Sequence, residues 1–385
     1  MSSVESANRG NGERRLGPRW VIAGGGTGGH LFPGIAVAGE LKSRFEEAEV
    51  LFVVGRKRME SEILSGHGYQ TASIDVKGLK GSGWKKEIST LIKLPKSLLQ
   101  SAWIIRRFSP GLVLGVGGYS SGPFCLVAKV MGIPTAIHEQ NSYPGLTNRL
   151  LARFVDRIFI SFEESGQFFR GKTPMVTGNP IRRELLSYGV IESEMQDVFT
   201  ILVVGGSQGA RAINEAFVEA LSYLNIKGKR PHVIHQTGEG DYERVVKNYR
   251  SSGLDGEVLP FIRDMAKAYH RADIVVSRAG ATTISELAAL GKPSILIPYP
   301  YAADQHQDKN ALSLVHTGGA KMILQRDLTG EGMARVLMGY MEDRGALKEM
   351  GKRVRAAGRT DSARVMVNQL LDMAHGTRPP GSVLA

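Results

Sequence analysis

Short apolar runs alternate with longer stretches of helical periodicity along most of the chain. In the first half, the runs at 19–23, 50–54, 111–116, 134–138 and 156–160 read as buried strands. Between and after them, residues 34–44, 58–66, 88–108, 122–131, 145–153 and 163–169 predict helices, with Pro95 expected to kink or end a first segment of 88–108. A second series opens at Thr200-Ile-Leu-Val-Val. It continues through a helix at 212–221 and strands at 231–235, 273–276, 294–297 and 320–324. Apolar strands separated by helices predict parallel sheets covered on both faces. The expected fold class is therefore α/β, two Rossmann-like domains with parallel sheets facing a central cleft. The turn Gly178-Asn179-Pro180 marks the expected boundary between an N-terminal domain, 19–180, and a C-terminal domain, 181–360. Residues 1–18 are polar, lack the apolar core of a signal peptide, and read as a disordered extension.

Glycine clusters stand where strands hand over to helices. After the first strand comes Gly24-Gly-Gly-Thr27-Gly28-Gly29-His30; after 111–116, Gly117-Gly118-Tyr119-Ser-Ser-Gly122; after Thr200–Val204, Gly205-Gly-Ser207-Gln-Gly209. Such turns let an anion approach main-chain N–H groups at a helix start. Gly24-x-Gly26-x-x-Gly29 formally satisfies the dinucleotide fingerprint, but no carboxylate follows the second strand, which ends in Gly55-Arg56-Lys57. That argues against NAD; NADP held by Arg56 passes the test. Other strand ends carry polar runs: His138-Glu139-Gln140-Asn141, suited to sugar hydroxyls or an acetamido group; Arg278–Glu286, where small residues would let a helix start approach a phosphate; and Asp304–Asn310.

Composition narrows the classes. Hydrophobic content of 42% allows sizeable cores, no 18-residue apolar run exists, and the single cysteine, Cys125, permits no disulfide framework and reads as a buried small hydrophobe. The formal net charge of +12 points to an anionic partner. Nothing resembles a nucleic-acid motif, and the spacing of His, Cys and acidic residues offers no metal pattern. Residues 76–108 combine Leu79 and Trp84 with Lys77, Lys80, Lys85 and Lys86 in a glycine-rich loop. Apolar residues on such a loop have no core face, and the lysines favour an anionic lipid surface, so a peripheral membrane protein is expected. For 88–105 a core-facing amphipathic helix with a solvated basic face reads equally well.

These blocks, in this order, resemble the MurG family of bacterial N-acetylglucosaminyltransferases: Gly-Gly-Thr-Gly-Gly-His, Gly-Val-Gly-Gly-Tyr-x-Ser-Gly-Pro, His-Glu-Gln-Asn, Gly-Asn-Pro-x-Arg, Gly-Gly-Ser-Gln-Gly-Ala, Ser-Arg-x-Gly-Ala-x-Thr-x-Ser-Glu, and a Gln-containing segment before Lys-Asn-Ala. The resemblance spans about 19–375 and implies a GT-B fold, with the last helix, about 361–375, packing back on the first domain. It implies inverting transfer of GlcNAc from UDP-GlcNAc to the C4 hydroxyl of the muramoyl sugar of lipid I, giving lipid II on the cytoplasmic membrane face, with neither cofactor nor metal. Thr27, Gly28, Gly29 and Asn141 would line the donor site, Arg182 and Ser207 the diphosphate side, and Ile262 the uracil. Ala281, Thr282, Thr283, Ile284 and Ser285 would hold the α-phosphate and ribose, Glu286 the ribose, and His306 and Gln307 would complete the site, His306 standing where some members have a glutamine. Gly117, Gly118 and Tyr119 would meet the lipid diphosphate. An imidazole titrates ordinarily near pH ~6.5, so His30 is the expected base, with orientation of the acceptor diphosphate as its rival role and Glu139 as a second base candidate. UDP-GlcNAc 2-epimerase, a non-catalytic sugar-nucleotide or scaffold protein, and an NADP oxidoreductase are the alternatives.

Overall fold

The structure, a computed structural model, describes residues 18–26, 28–56, 58–76, 84–187, 198–206 and 208–376, with the side chains of residues 58, 59, 84–93 and 303 outside the described set. Thr27, Leu79 and Ser207 lie outside the described residues, as does the 1–17 part of the expected N-terminal extension.

Seven strands form the first sheet: β1 (Arg19–Ala23), β2 (Glu49–Val54), β3 (Gln70–Ser73), β4 (Leu112–Gly115), β5 (Thr135–Glu139), β6 (Arg157–Ile160) and β7 (Met175–Val176), in the order β3-β2-β1-β4-β5-β6-β7. Six form the second: β8 (Thr200–Val204), β9 (His232–Gln236), β10 (Glu257–Leu259), β11 (Ile274–Ser277), β12 (Ser294–Leu296) and β13 (Ala320–Met322), in the order β10-β9-β8-β11-β12-β13. Every pairing is parallel. The inner strands are buried on both faces, which is why they read as continuous apolar runs. The edge strands β3, β7 and β10 escaped the sequence reading. β3, Gln-Thr-Ala-Ser, is largely solvent-facing and gives no hydrophobic signal.

Three elements differ from expectation. The first helix spans Gly28–Arg44, starting well before 34 and running through Pro33. A single helix, Trp84–Phe108, passes through Pro95 without ending. Its buried Ile104, Ile105 and Phe108 pack into the first-domain core, a tertiary gain that outweighs the lost backbone bond. Trp84, Lys85 and Lys86 therefore stand in the first turn of a helix, not in a loop. Residues Glu163–Phe168 form a 3₁₀ turn. Cys125 is fully buried, and burial pushes its thiol up to about 12, so it packs as an inert hydrophobe.

The Ser362–Ala374 helix returns to the first sheet. Its Met366, Val367 and Leu370 are completely buried beside Ile35, Val37 and Leu41. Burying such side chains contributes about 1.5–3 kcal/mol each. Arg44 donates to Asn368 Oδ1 (2.5 Å) and Arg157 to Gln369 Oε1 (2.5 Å), which fixes the helix along its length.

Candidate active site

In each sheet the strand order reverses at one place, between β1 and β4 and between β8 and β11. There the connections leave in opposite directions, and a crevice opens beyond the carboxyl ends of the strands. The glycine turns after β1 and β4 meet at the first crevice. Gly25 N–H donates to the Gly117 carbonyl (3.3 Å), and Gly26 N–H to Oε1 of the buried Glu60 (2.6 Å). Gly118 has φ +83°, and a Cβ there would lie 2.2 Å from the Gly25 carbonyl oxygen. Only glycine lets the two turns come this close. Tyr119, 43% exposed, stands at their rim.

His30 lies in the first turn of the Gly28–Arg44 helix, half-buried, with Nδ1 3.0 Å from Gln140 Oε1. A Cβ on Gly117 would sit 2.9 Å from that same Nδ1, so the β4 turn cups the imidazole. One residue earlier, Gly29 faces the second domain. Pro33 has no N–H to return to the Gly29 carbonyl four residues back. That carbonyl instead accepts from Thr282 Oγ1 of the second domain (3.0 Å), and Asn179 donates to the same hydroxyl oxygen (3.4 Å).

Thr282 belongs to the Ala281–Leu290 helix, which follows β11 and starts from Gly280 without a side-chain cap. Ala281, Thr282 and Ile284 are buried, while Thr283 and Ser285 are half-buried. Ser285 donates back to the Ala281 carbonyl (3.0 Å). The helix start thus offers uncapped N–H groups and a positive dipole end toward the cleft. Glu286, one turn further, is 6% exposed. Its Oε1 accepts from Arg182 (3.3 Å) and its Oε2 from the Tyr269 hydroxyl (3.1 Å). Burial pushes the carboxyl up from its ordinary value, and the Arg182 charge and these hydrogen bonds pull it back. Arg182 also lies 4.2 Å over the Phe32 ring. The expected diphosphate and ribose residues therefore hold each other. A carboxylate has about four lone-pair sites, so Glu286 keeps capacity for hydroxyl donors.

Glu139 is buried, and all its described partners are donors. Oε1 accepts from Asn141 N (3.0 Å) and Nδ2 (3.1 Å), and Oε2 from Gly145 N (3.0 Å) and Asn148 Nδ2 (2.8 Å). The carboxylate is folded into its own loop and holds it. Asn141 Oδ1 in turn accepts from Asn310 Nδ2 (3.3 Å). Asn310, fully buried in the His306–His316 helix, also accepts from Ser142 N and Oγ (3.1 Å each) and donates to the Ala279 carbonyl (3.2 Å). One asparagine so joins the two domains. Gln307 Oε1 accepts from Ala279 N (3.3 Å) and Tyr299 N (2.9 Å), which leaves its amide N–H groups as the donors for any further contact. His306 opens the same helix, after Asp304 and Gln305 in left-handed conformations (φ 54° and 52°). Ile262 is buried, and its N–H meets Gln236 Oε1 (3.2 Å), whose Nε2 reaches the Gly206 carbonyl (2.9 Å).

Two family models match the chain: the glycosyltransferase family 28 N-terminal domain over residues 20–160 and the corresponding C-terminal domain over 200–366. A UDP-N-acetylglucosamine–N-acetylmuramyl-(pentapeptide) pyrophosphoryl-undecaprenol N-acetylglucosamine transferase from Citrifermentans bemidjiense is 50% identical, covering 92% of this chain and 99% of its own. The transferase of the same description from Syntrophus aciditrophicus is 47% identical over 92% and 98%. The crystal structure of MurG from Acinetobacter baumannii is similar at a TM-score of 0.72 with 30% identity, over 92% of this chain and 99% of that one. The chain belongs to the MurG family. Its architecture is accordingly GT-B, as the two sheets and the returning helix indicate. A UDP-GlcNAc 2-epimerase from Neisseria meningitidis shares the fold at a TM-score of 0.63 and 16% identity, so the fold alone does not choose between the two reactions.

Against the MurG-family motifs, the structure brings together Gly29, His30, Gly117 and Gly118 on one side, and Arg182, Thr282 and Glu286 across the cleft, with Thr282 bonded to the Gly29 carbonyl. Sequence reasoning passed over Glu60, Phe32 and Asn310 as site residues, and read Gln140 only as one of four polar side chains for a sugar. Gln140 and Asn310 stood inside quoted motifs, but nothing in a sequence says which side chain of a polar run turns toward a histidine or across a domain boundary.

Proposed function

We propose that this chain transfers GlcNAc from UDP-GlcNAc to the C4 hydroxyl of the muramoyl sugar of lipid I, yielding lipid II and UDP, with inversion at C1. The observation that carries this reading is the juxtaposition of an imidazole cupped by the glycine turn after β4 with an uncapped helix start on the facing domain. His30 takes the proton of the C4 hydroxyl as that oxygen attacks C1 of the donor sugar. The C1–O bond to UDP breaks, and its electron pair goes to the β-phosphate oxygen. The N–H groups at the start of the Ala281–Leu290 helix stabilise the growing charge, and Arg182 can swing from Glu286 to assist. Glu286 receives the ribose hydroxyls, and Ile262 packs by the uracil. Gln307 and His306 border the donor, and Asn141 meets the sugar through the loop that Glu139 holds. Thr27 and Ser207 keep their expected donor roles. Glu139, with four donors on its carboxylate, serves as a support and not as a base.

The division of labour we infer places acceptor and membrane contacts on 19–180 with the returning 361–375 helix, and the donor on 181–360. Among the described residues no helix is long and apolar enough to cross a membrane. Leu99 (73% exposed) and Trp103 (61%) project from the Trp84–Phe108 helix, with Arg106 and Arg107 beside them; Leu146, Leu150 and Phe154 are also exposed. Apolar side chains edged by cations suit peripheral binding to an anionic lipid surface, where a lipid-linked acceptor resides. The test is incubation of the protein with UDP-GlcNAc and a short-chain lipid I analogue. The account expects an acceptor-dependent β-linked disaccharide and UDP. Formation of UDP-ManNAc without acceptor would replace it with the epimerase.

A further inference from the structure

Gln140 occupies an unusual position: its side-chain amide connects two histidines, and its surroundings dictate which way it faces. Nε2 lies 2.9 Å from the Val116 carbonyl, 3.1 Å from His138 Nδ1 and 3.4 Å from the His138 carbonyl. Carbonyl oxygens only accept, so the amide nitrogen must be on that side. The amide oxygen is then presented to His30 Nδ1 at 3.0 Å. An oxygen can only accept there, so Nδ1 carries the proton. The other end of the chain agrees. His138 is fully buried and uncharged, since burial lowers its pKa to about 3. Its Nδ1 accepts from Gln140, and its Nε2–H donates to Ser161 Oγ (3.2 Å). Every bond from His30 to Ser161 runs in one direction.

We propose that Gln140 is a positioning residue for the transfer: it holds His30 as the Nδ1–H tautomer, so that the lone pair resides on Nε2 and is available to the acceptor hydroxyl. This rests on the reading of His30 as the base. The ring orientation is set at the same time, because Gly117 closes the Nδ1 side. An imidazole whose tautomer is fixed before substrate arrives loses no population to the wrong form. The charged or titratable groups nearby are His138, Glu60 against the Gly26 N–H, and Arg182 on the Phe32 ring of the same helix.

The experiment pairs ¹⁵N NMR of the histidine rings with kcat and KM for the full chain, Gln140→Glu and Gln140→Met. In the wild type, His30 is expected as the Nδ1–H tautomer. Gln140→Met should shift it toward Nε2–H and lower kcat about 10–100-fold, with KM for UDP-GlcNAc within about threefold. Gln140→Glu keeps an oxygen toward His30, and its second oxygen, set against the Val116 carbonyl and His138 Nδ1, is held there as the protonated hydroxyl that replaces the amide N–H, so it should retain the Nδ1–H tautomer with kcat within about tenfold of the wild type. An Nε2–H tautomer in the wild type overturns the proposal, as does an Nε2–H tautomer in a folded Gln140→Glu protein. The ring spectra need no substrate. A wild type with the Nδ1–H tautomer but no transfer to lipid I would therefore sink the functional reading alone; transfer with the other tautomer would sink this one alone.

Discussion

At the scale of single residues, polar groups that look alike in sequence have been given different jobs by burial and partners. Glu139 and His30 both end up beside the cleft, yet Glu139 meets four N–H donors within its own loop, while His30 is held by one amide and one turn. Donors that a buried carboxylate satisfies are left unpaired when it is replaced. Changing Glu139→Gln would set an amide nitrogen against N–H donors and should lower unfolding stability by about 2–4 kcal/mol. Chemical denaturation reads this directly. A variant of wild-type stability that has lost all transfer would instead restore Glu139 as a base. The polar character of His138–Asn141 was legible in the sequence because it follows an apolar strand. Which members point inward was not, since that depends on Asn148, Val116 and Asn310, contributed from elsewhere in the chain.

At the scale of elements, the glycine turns and the helices behind them were legible because glycine and apolar periodicity are local signals. The start of the first helix was misplaced for a physical reason. Pro33 reads as a boundary, but here it lies within the helix and releases the Gly29 carbonyl to the other domain. A consequence can be measured. Thr282→Val removes one interdomain hydrogen bond and should cost about 0.5–1.5 kcal/mol. In a Pro33→Ala background the restored N–H at 33 competes for the Gly29 carbonyl, so the same valine substitution should cost close to nothing. A double-mutant cycle by denaturation gives the coupling; additive effects would show that the proline does not govern this contact. The polar edge strand β3 stayed invisible because it buries too little to leave a pattern.

For the whole molecule, the sequence order of strands and glycine turns foretold two α/β domains, while the contacts between them came only from the structure. Asn310, Thr282 and the Arg182–Phe32 stack bring the second domain against the turn that carries His30. In the proposed reaction both substrates meet there, the donor at the helix start that follows Gly280 and the acceptor at the rim near Tyr119. The central claim is that His30 performs the proton transfer in this cleft. The most direct measurement is kcat for GlcNAc transfer by His30→Ala, with UDP-GlcNAc binding followed in parallel by calorimetry. The account predicts a fall in kcat of about 10²–10⁴-fold, with donor affinity kept within about threefold. A kcat within about tenfold of the wild type would contradict it, and would assign the imidazole to holding the acceptor diphosphate.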